Sequence, residues 1–186
     1  IEKKKIHFIL TGSSARKLKQ VSANLLAGRA AVYRLHALTS FELKDAFDLN
    51  AALRWGTLPK PYFLENMTAK ENFLKSYALT YLKEEIQQEQ IVRKIEPFRN
   101  FLEVAAQTNG KIINYTRIAN DVGVDTKTVQ AYYQILEDTL LGFRLNAFIH
   151  SERKQTRTAP KFYLFDLGVT RALERSLDVL PKEGTS

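Results

Sequence analysis

A helix, a tight turn and a second helix are encoded in Tyr115–Leu136, YTRIANDVGVDTKTVQAYYQIL, and this stretch constrains the chain more than any other. Ile118, Ala119 and Val122 give the first helix one apolar face. Gly123 stands where the chain must turn sharply, because a residue without Cβ enters the left-handed region without steric penalty. Asp125 or Thr126 can accept the free N–H groups that open the second helix. Val129, Tyr132, Tyr133 and Leu136 follow at i, i+3, i+4 and i+7 and so share its inward face. Thr126, Lys127, Gln130 and Gln134 fall on the opposite face, the side a recognition helix offers to a major groove. Units of this kind also serve purely as packing modules or as contacts to protein.

The residues that follow predict a hairpin. An apolar run, Leu140–Ile149, leads to a polar, basic tip (Ser151, Glu152, Arg153, Lys154, Gln155, Thr156, Arg157, Thr158), and a second β-prone run, Lys161–Phe165, returns from it. Two helices followed by such a hairpin are the elements of a winged helix, with Arg153, Lys154 and Arg157 as candidate phosphate contacts on the wing.

A chain of 186 residues can hold one large or two small domains with a normal core. Its 45% hydrophobic and 26% charged residues are ordinary for a soluble globular protein. A net charge of +8 and a pI near 9.6 favour an anionic partner such as nucleic acid, nucleotide or acidic protein. The absence of cysteine removes disulfides and thiolate chemistry and fits a cytoplasmic location. No apolar run approaches the roughly 20 residues that a membrane span requires. The opening IEKKKIHFIL lacks a signal-peptide cleavage site and an initiator Met, so the chain reads as an internal fragment.

Ile6–Leu10 has the β-branched and aromatic character of a buried strand and runs into Thr11-Gly12-Ser13-Ser14, a turn of small hydroxyl residues. In open α/β sheets such a loop carries ligand-contacting groups. Residues 15–28 are basic and helical or loop-like, and Ala30–Leu35 is again β-prone. Leu38–Glu42 predicts a helix start that Ser40 can cap, with Leu43, Phe47 and Leu53 facing inward. Trp55–Pro59 breaks that helix, and Pro59 and Pro61 make a linker. A long helix is expected over about 68–94, with Phe73, Leu74, Tyr77, Ala78, Tyr81 and Leu82 on one stripe. Pro97 fits the first turn of the next helix, Phe98, Phe101, Leu102, Ala105 and Ala106 line its inner face, and Asn109-Gly110 stops it. A short helix from Asp166 to about Ser176 precedes a polar tail. The domain boundary is placed near 56–66, which divides the chain into residues 1–60 and 61–186. The fold class is mainly α with short β: an α/β piece followed by a helical winged helix–turn–helix domain.

Catalytic and metal motifs are missing. No G-x-x-x-x-G-K-[ST] phosphate loop occurs. Phe162–Asp166 has the form of an apolar strand ending in a Mg²⁺-binding acid, but it lies on the predicted hairpin, where Asp166 is better used as a helix cap. His7, His36 and His150 are too scattered for a metal site or a triad, and Glu84 and Glu85 point in different directions on one helix.

Several motifs recur in a familiar order: Leu10–Ala15, Leu26-Ala27-Gly28-Arg29, Leu38–Glu42, Tyr81-Leu82 before Glu85-Ile86, Asn114-Tyr115, Ala119, Gly123, Val129, Ile135-Leu136-Glu137, and Lys161-Phe162-Tyr163 leading to Asp166-Leu167-Gly168. In this order they resemble the prokaryotic AAA+-type ATPases that carry a C-terminal winged helix followed by a restriction-nuclease-like domain. The resemblance spans nearly the whole chain. It implies that residues 1–60 are the C-terminal part of an AAA+-type nucleotide-binding domain. The phosphate loop and Mg²⁺-binding acid would then precede Ile1, and the nuclease-like domain would follow Ser186. ATP and Mg²⁺ would belong to the full-length parent, with no cofactor in this fragment. By the same resemblance Ser13 or Ser14 occupies the position that senses the γ-phosphate. Arg29 becomes the candidate arginine finger, acting across a subunit boundary in a homo-oligomer. Two departures stand out: Thr57 where the family has a second glycine, and Glu85 where it has aspartate.

Two classes of function follow. One is a fragment of a DNA-associated ATPase, inactive in hydrolysis by itself. The other is a non-enzymatic winged-helix transcription regulator or a protein-interaction module.

Overall fold

The computed structural model describes residue 9 and residues 33–78, 95–148 and 158–180. The chain divides into two compact units, Ile1–Arg34 and Leu35–Ser186, and every element below lies in the second. The strand and turn expected over residues 6–14, the basic segment after it, most of the run 30–35, the later part of the helix expected over 68–94 and the hairpin tip lie outside the described residues.

Helix α1, Ser40–Leu43, is one turn long and is capped by Thr39 rather than Ser40. Thr39 Oγ1 accepts from the Glu42 N–H at 3.3 Å, and Glu42 Oε2 accepts from the Thr39 N–H at 2.8 Å, a reciprocal capping box. A 3₁₀ turn, Lys44–Ala46, follows. Helix α2, Leu49–Trp55, starts afresh with Asp48 as its cap, so the single helix expected here is two. The break changes which residues are buried. Ala52 and Trp55, three apart, face inward, whereas Phe47 and Leu53 are exposed, contrary to the sequence pattern. Tyr62 secures the break: its hydroxyl accepts from the Asp48 N–H at 2.9 Å and donates to the Ala46 carbonyl at 2.8 Å.

Pro59 and Pro61 form no linker. They open helix α3, Pro59–Phe63, where a missing N–H costs nothing in the first turn, and Pro61 and Tyr62 are buried. Helix α4, Met67–Ser76, buries Leu74. Helix α5, Ile95–Gln107, buries Phe98, Phe101, Leu102, Ala105 and Ala106, the five positions its periodicity marks. Gly110, at φ +73°, turns the chain back. The Gly110 and Ile113 N–H groups donate to the carbonyls of Phe162 and Pro160 at 2.7 and 2.9 Å.

Helices α6, Tyr115–Val122, and α7, Thr126–Asp138, pack on α5. Strands β1, Gly142–Leu145, and β2, Lys161–Leu164, form an antiparallel pair in the register Gly142↔Leu164 and Leu145↔Lys161, and Ile112 bridges Lys161 on the far side of β2. An aromatic cluster joins these parts. Tyr133 of α7 meets Phe101 of α5 edge-on at 4.9 Å and Phe162 of β2 at 4.8 Å, while Tyr132 meets Phe98 at 4.9 Å.

Helix α8, Leu167–Leu173, closes the core against α2, α4 and α5. Buried Asp166 caps it. One carboxylate oxygen accepts from the Val169 N–H at 3.0 Å, and the other from the Thr57 N–H at 2.8 Å, 109 residues away. The approach is close enough to dictate glycine on both sides. A Cβ on Gly56 would lie 2.1 Å from the Asp166 carboxylate, and one on Gly168 would lie 2.0 Å from the Trp55 carbonyl. Trp55 and Leu74 therefore share one buried cluster with Val169 and Leu173. The division read near residue 60 falls inside this continuous core. The described part is mainly helical, with one short two-stranded sheet.

Candidate nucleic-acid interface

The α6–α7 turn is set by local chemistry. Asn114 Oδ1 accepts from the Arg117 N–H at 3.0 Å and starts α6. Gly123 ends it at φ +73°, ψ +38°, the left-handed conformation that terminates helices, while its N–H and that of Val124 both reach the Ala119 carbonyl at 3.0 Å. Asp125 then caps α7, accepting from the Thr128 N–H at 2.8 Å and the Thr128 hydroxyl at 2.7 Å. Those bonds, the hydroxyl's first, hold the Asp125 carboxyl below its ordinary pKa.

With α7 so anchored, Val129, Tyr132, Tyr133 and Leu136 are buried, Lys127, Gln130 and Gln134 are exposed, and Thr126 is half-exposed. Lys127 and Gln130 lie in the first half of the helix, the part that reaches base edges in recognition helices. Gln134 differs. Its amide donates to Asp138 Oδ1 at 3.1 Å, and its carbonyl oxygen accepts from the Arg144 guanidinium.

Arg144 was not foreseen as part of this face. Its backbone N–H donates to Glu137 Oε1 at 2.8 Å and its Nε to Glu137 Oε2 at 2.9 Å, and its Nη2 bonds the same carboxylate. The pair fastens β1 to α7 and neutralises Glu137, which otherwise would repel a phosphate. The sequence signal is faint: in Gly142–Leu145, alternation alone puts Arg144 on the inner face with its cross-strand partner Phe162.

The outer face of the hairpin carries the other unforeseen residues. Phe143 pairs with Tyr163 across the strands, and their rings stack at 5.6 Å and 19°. Leu145 and Ile112 flank Lys161 in the next row. Ile112 is 65% exposed, and Phe143 and Leu145 are each 53% exposed. Residues 141–165 contain five basic residues (Arg144, Arg153, Lys154, Arg157 and Lys161) against one acid, Glu152, so +4 of the net +8 falls in these 25 positions. Arg153, Lys154 and Arg157 themselves lie outside the described residues, as do Ser13, Ser14 and Arg29.

Asp166, the acid after an apolar strand, does not fit a Mg²⁺ ligand, since both oxygens already accept backbone N–H groups in a buried setting. Among the described residues no three His, Asp or Glu side chains cluster as a metal site would. No helix among them is long and apolar enough to cross a membrane.

Two curated relatives are similar to the chain: the uncharacterized protein Rv2008c of Mycobacterium tuberculosis and the uncharacterized protein Mb2031c of Mycobacterium bovis. Each is 24% identical over 186 residues, covering 96% of this chain and 42% of the relative. The chain thus spans less than half the length of the curated relatives it matches. No solved structure matches it. A family model matches residues 46–180, from the 3₁₀ turn before α2 to the segment after α8, and the chain belongs to that family, described as "Domain of unknown function (DUF8612)".

Proposed function

We propose that residues 95–180 are a winged helix that binds duplex DNA, and that the chain is part of an AAA+-type ATPase. One observation carries the DNA reading: Thr126, Lys127 and Gln130 face outward on the first half of α7, beside a hairpin segment that holds half of the net charge. The element order supports it, with a helix, a single bridged residue at Ile112, two helices and then a hairpin. Lys127 and Gln130 approach base edges, and Arg153, Lys154 and Arg157 approach phosphates from the wing. Gln134 is tied to Asp138 and Arg144 and takes no part.

The ATPase part rests on the order of sequence motifs. ATP and Mg²⁺ are held by a portion of the protein other than this chain, which has no phosphate loop. Ser13, Ser14 and Arg29 contribute to that site, Arg29 across a subunit boundary of a homo-oligomer. A nuclease-like domain follows in the longer protein, and the whole works in the cytoplasm. A transcription regulator would share the DNA contact and lack hydrolysis in any longer form.

Anisotropy titration of labelled duplex DNA at two salt concentrations tests the DNA contact. Binding is expected to weaken steeply with salt. Replacing Arg153, Lys154 and Arg157 together by alanine should lower the log–log salt slope by about 3, because each lost phosphate contact removes nearly one released counterion. Lys127→Ala with Gln130→Ala should weaken a preferred site more than a random one. Absence of binding at low salt would sink the DNA reading. Absence of hydrolysis by a longer protein containing this chain would sink the ATPase reading.

A further inference from the structure

The outer face of the hairpin is unusual for a small sheet. Its inner face supplies Phe162 and Leu164 to the core, yet the outer face offers an aromatic pair and two aliphatic side chains to solvent. Phe143 and Tyr163 are stacked and held in place by strand pairing, and Gly110 brings backbone within 3.3 Å of the Tyr163 ring, counted from the Cβ that glycine lacks. Lys161 stands in the neighbouring row between Leu145 and Ile112. The combination of rigid aromatic faces with fixed cations is what unpaired bases require. Any base can stack on a ring whatever its sequence, while the phosphates between bases need positive charge nearby. The charge is complementary: five basic residues and one acid occupy the hairpin segment.

We propose that this face is a stacking platform for single-stranded DNA, with bases on Phe143 and Tyr163 and the backbone drawn along Lys161 toward the basic tip. The proposal deepens the DNA reading above and rests on its premise that the chain associates with DNA. It assigns two surfaces to two forms of the ligand. Helix α7 meets duplex, and the outer sheet face meets a separated strand, so the hairpin marks a junction between paired and unpaired DNA. Aliphatic Leu145 and Ile112 widen the platform for sugar and base edges without sequence preference.

The test uses the full 186-residue chain and a fluorescein-labelled, mixed-sequence DNA oligonucleotide without self-complementarity, beside a duplex of the same sequence. Phe143→Ala and Tyr163→Ala should each weaken single-strand binding roughly 5- to 100-fold, the range lost with one base–aromatic stack. Duplex binding should change less than about twofold, since neither residue lies on α7. Phe143→Leu keeps an apolar side chain but no ring, so it should lose as much as the alanine variant. Phe143→Trp adds a signal of its own: the oligonucleotide should quench it, while Trp55 is 5% exposed and stays silent. This variant also reports if an alanine substitution unsettles the strands. Unchanged single-strand affinity in the Phe143 variants, or full affinity in Phe143→Leu, overturns the proposal. Duplex binding without single-strand binding overturns it and leaves α7 as the DNA contact. Failure to bind either form removes both readings. Concentration-dependent self-association that Phe143→Ala abolishes assigns the face to a second copy of the chain and overturns the platform.

Discussion

Asp125 and Asp166 do the same local job with opposite electrostatic consequences. Each is an N-cap whose carboxylate accepts the N–H three residues on. Asp125 is fully exposed, and its bonds to Thr128 pull its pKa below the ordinary value of 3.8. Asp166 is buried, and desolvation pushes its pKa up despite the N–H groups of Thr57 and Val169. The linkage signs therefore differ. Stability from Asp125 is present above 3.8 and is lost as pH falls through its depressed folded value. For Asp166 the advantage of the folded state is fullest below 3.8 and declines as pH rises through its raised folded value. Urea midpoints measured between about pH 3 and 6 should separate the two, these limits bracketing ordinary carboxyl titration. Asp125→Asn should flatten the acid side of the profile, and Asp166→Asn the side above 3.8. Asp166→Ala strands two N–H donors at a packed junction and should cost about 2–5 kcal/mol at neutral pH. Parallel profiles for wild type and both asparagine variants would refute the assignment.

Among elements, α7 and β1 are joined by the Glu137–Arg144 pair, whose side chains are only 23% and 26% exposed. Glu137→Ala leaves the Arg144 N–H and guanidinium short of their acceptor and should destabilise the fold by about 1–3 kcal/mol. Amide exchange at Arg144 should accelerate before that of α5, and unchanged protection there would rule the fastening out. Gln134→Ala should leave duplex affinity within about twofold, because both ends of that side chain are already used within the protein. How far such elements can be read from sequence depends on how local their determinants are. Helices α5, α6 and α7 were legible down to their buried positions, because each has a 3.6-residue apolar stripe over two or more turns and a side-chain cap or glycine stop. The outward positions of Lys127 and Gln130 follow from the same periodicity. Helices α1 to α3 were not legible as built. They are four to seven residues long, too short for a stripe, and Pro59 reads equally as a loop residue or as a helix start. The occupation of Gln134 was hidden because its partner lies on a strand, and the Phe143–Tyr163 stack depends on a register set 20 residues apart in sequence.

At the scale of the molecule, residues 35–186 should unfold as one body. Trp55 is the only tryptophan and sits where α2 meets α8, so its fluorescence reports the seam that sequence alone placed between two domains. Far-ultraviolet circular dichroism is dominated by the longer helices α5 and α7. The two signals should show coincident transitions in urea, as a single cooperative unit requires. A Trp55 transition well below the helical one would restore the division near residue 60. The bond from the Thr57 N–H to Asp166 has a temporal counterpart as well. Its partners are made 109 residues apart, and at about 5–20 residues per second a ribosome needs on the order of 5–20 s to supply the second after the first. Throughout that interval Trp55 and the small helices around it have been synthesised while the helix that covers them has not. The nascent chain therefore passes through a stage with an uncovered apolar surface, the kind of surface that chaperones bind, and it is the last helix that releases it.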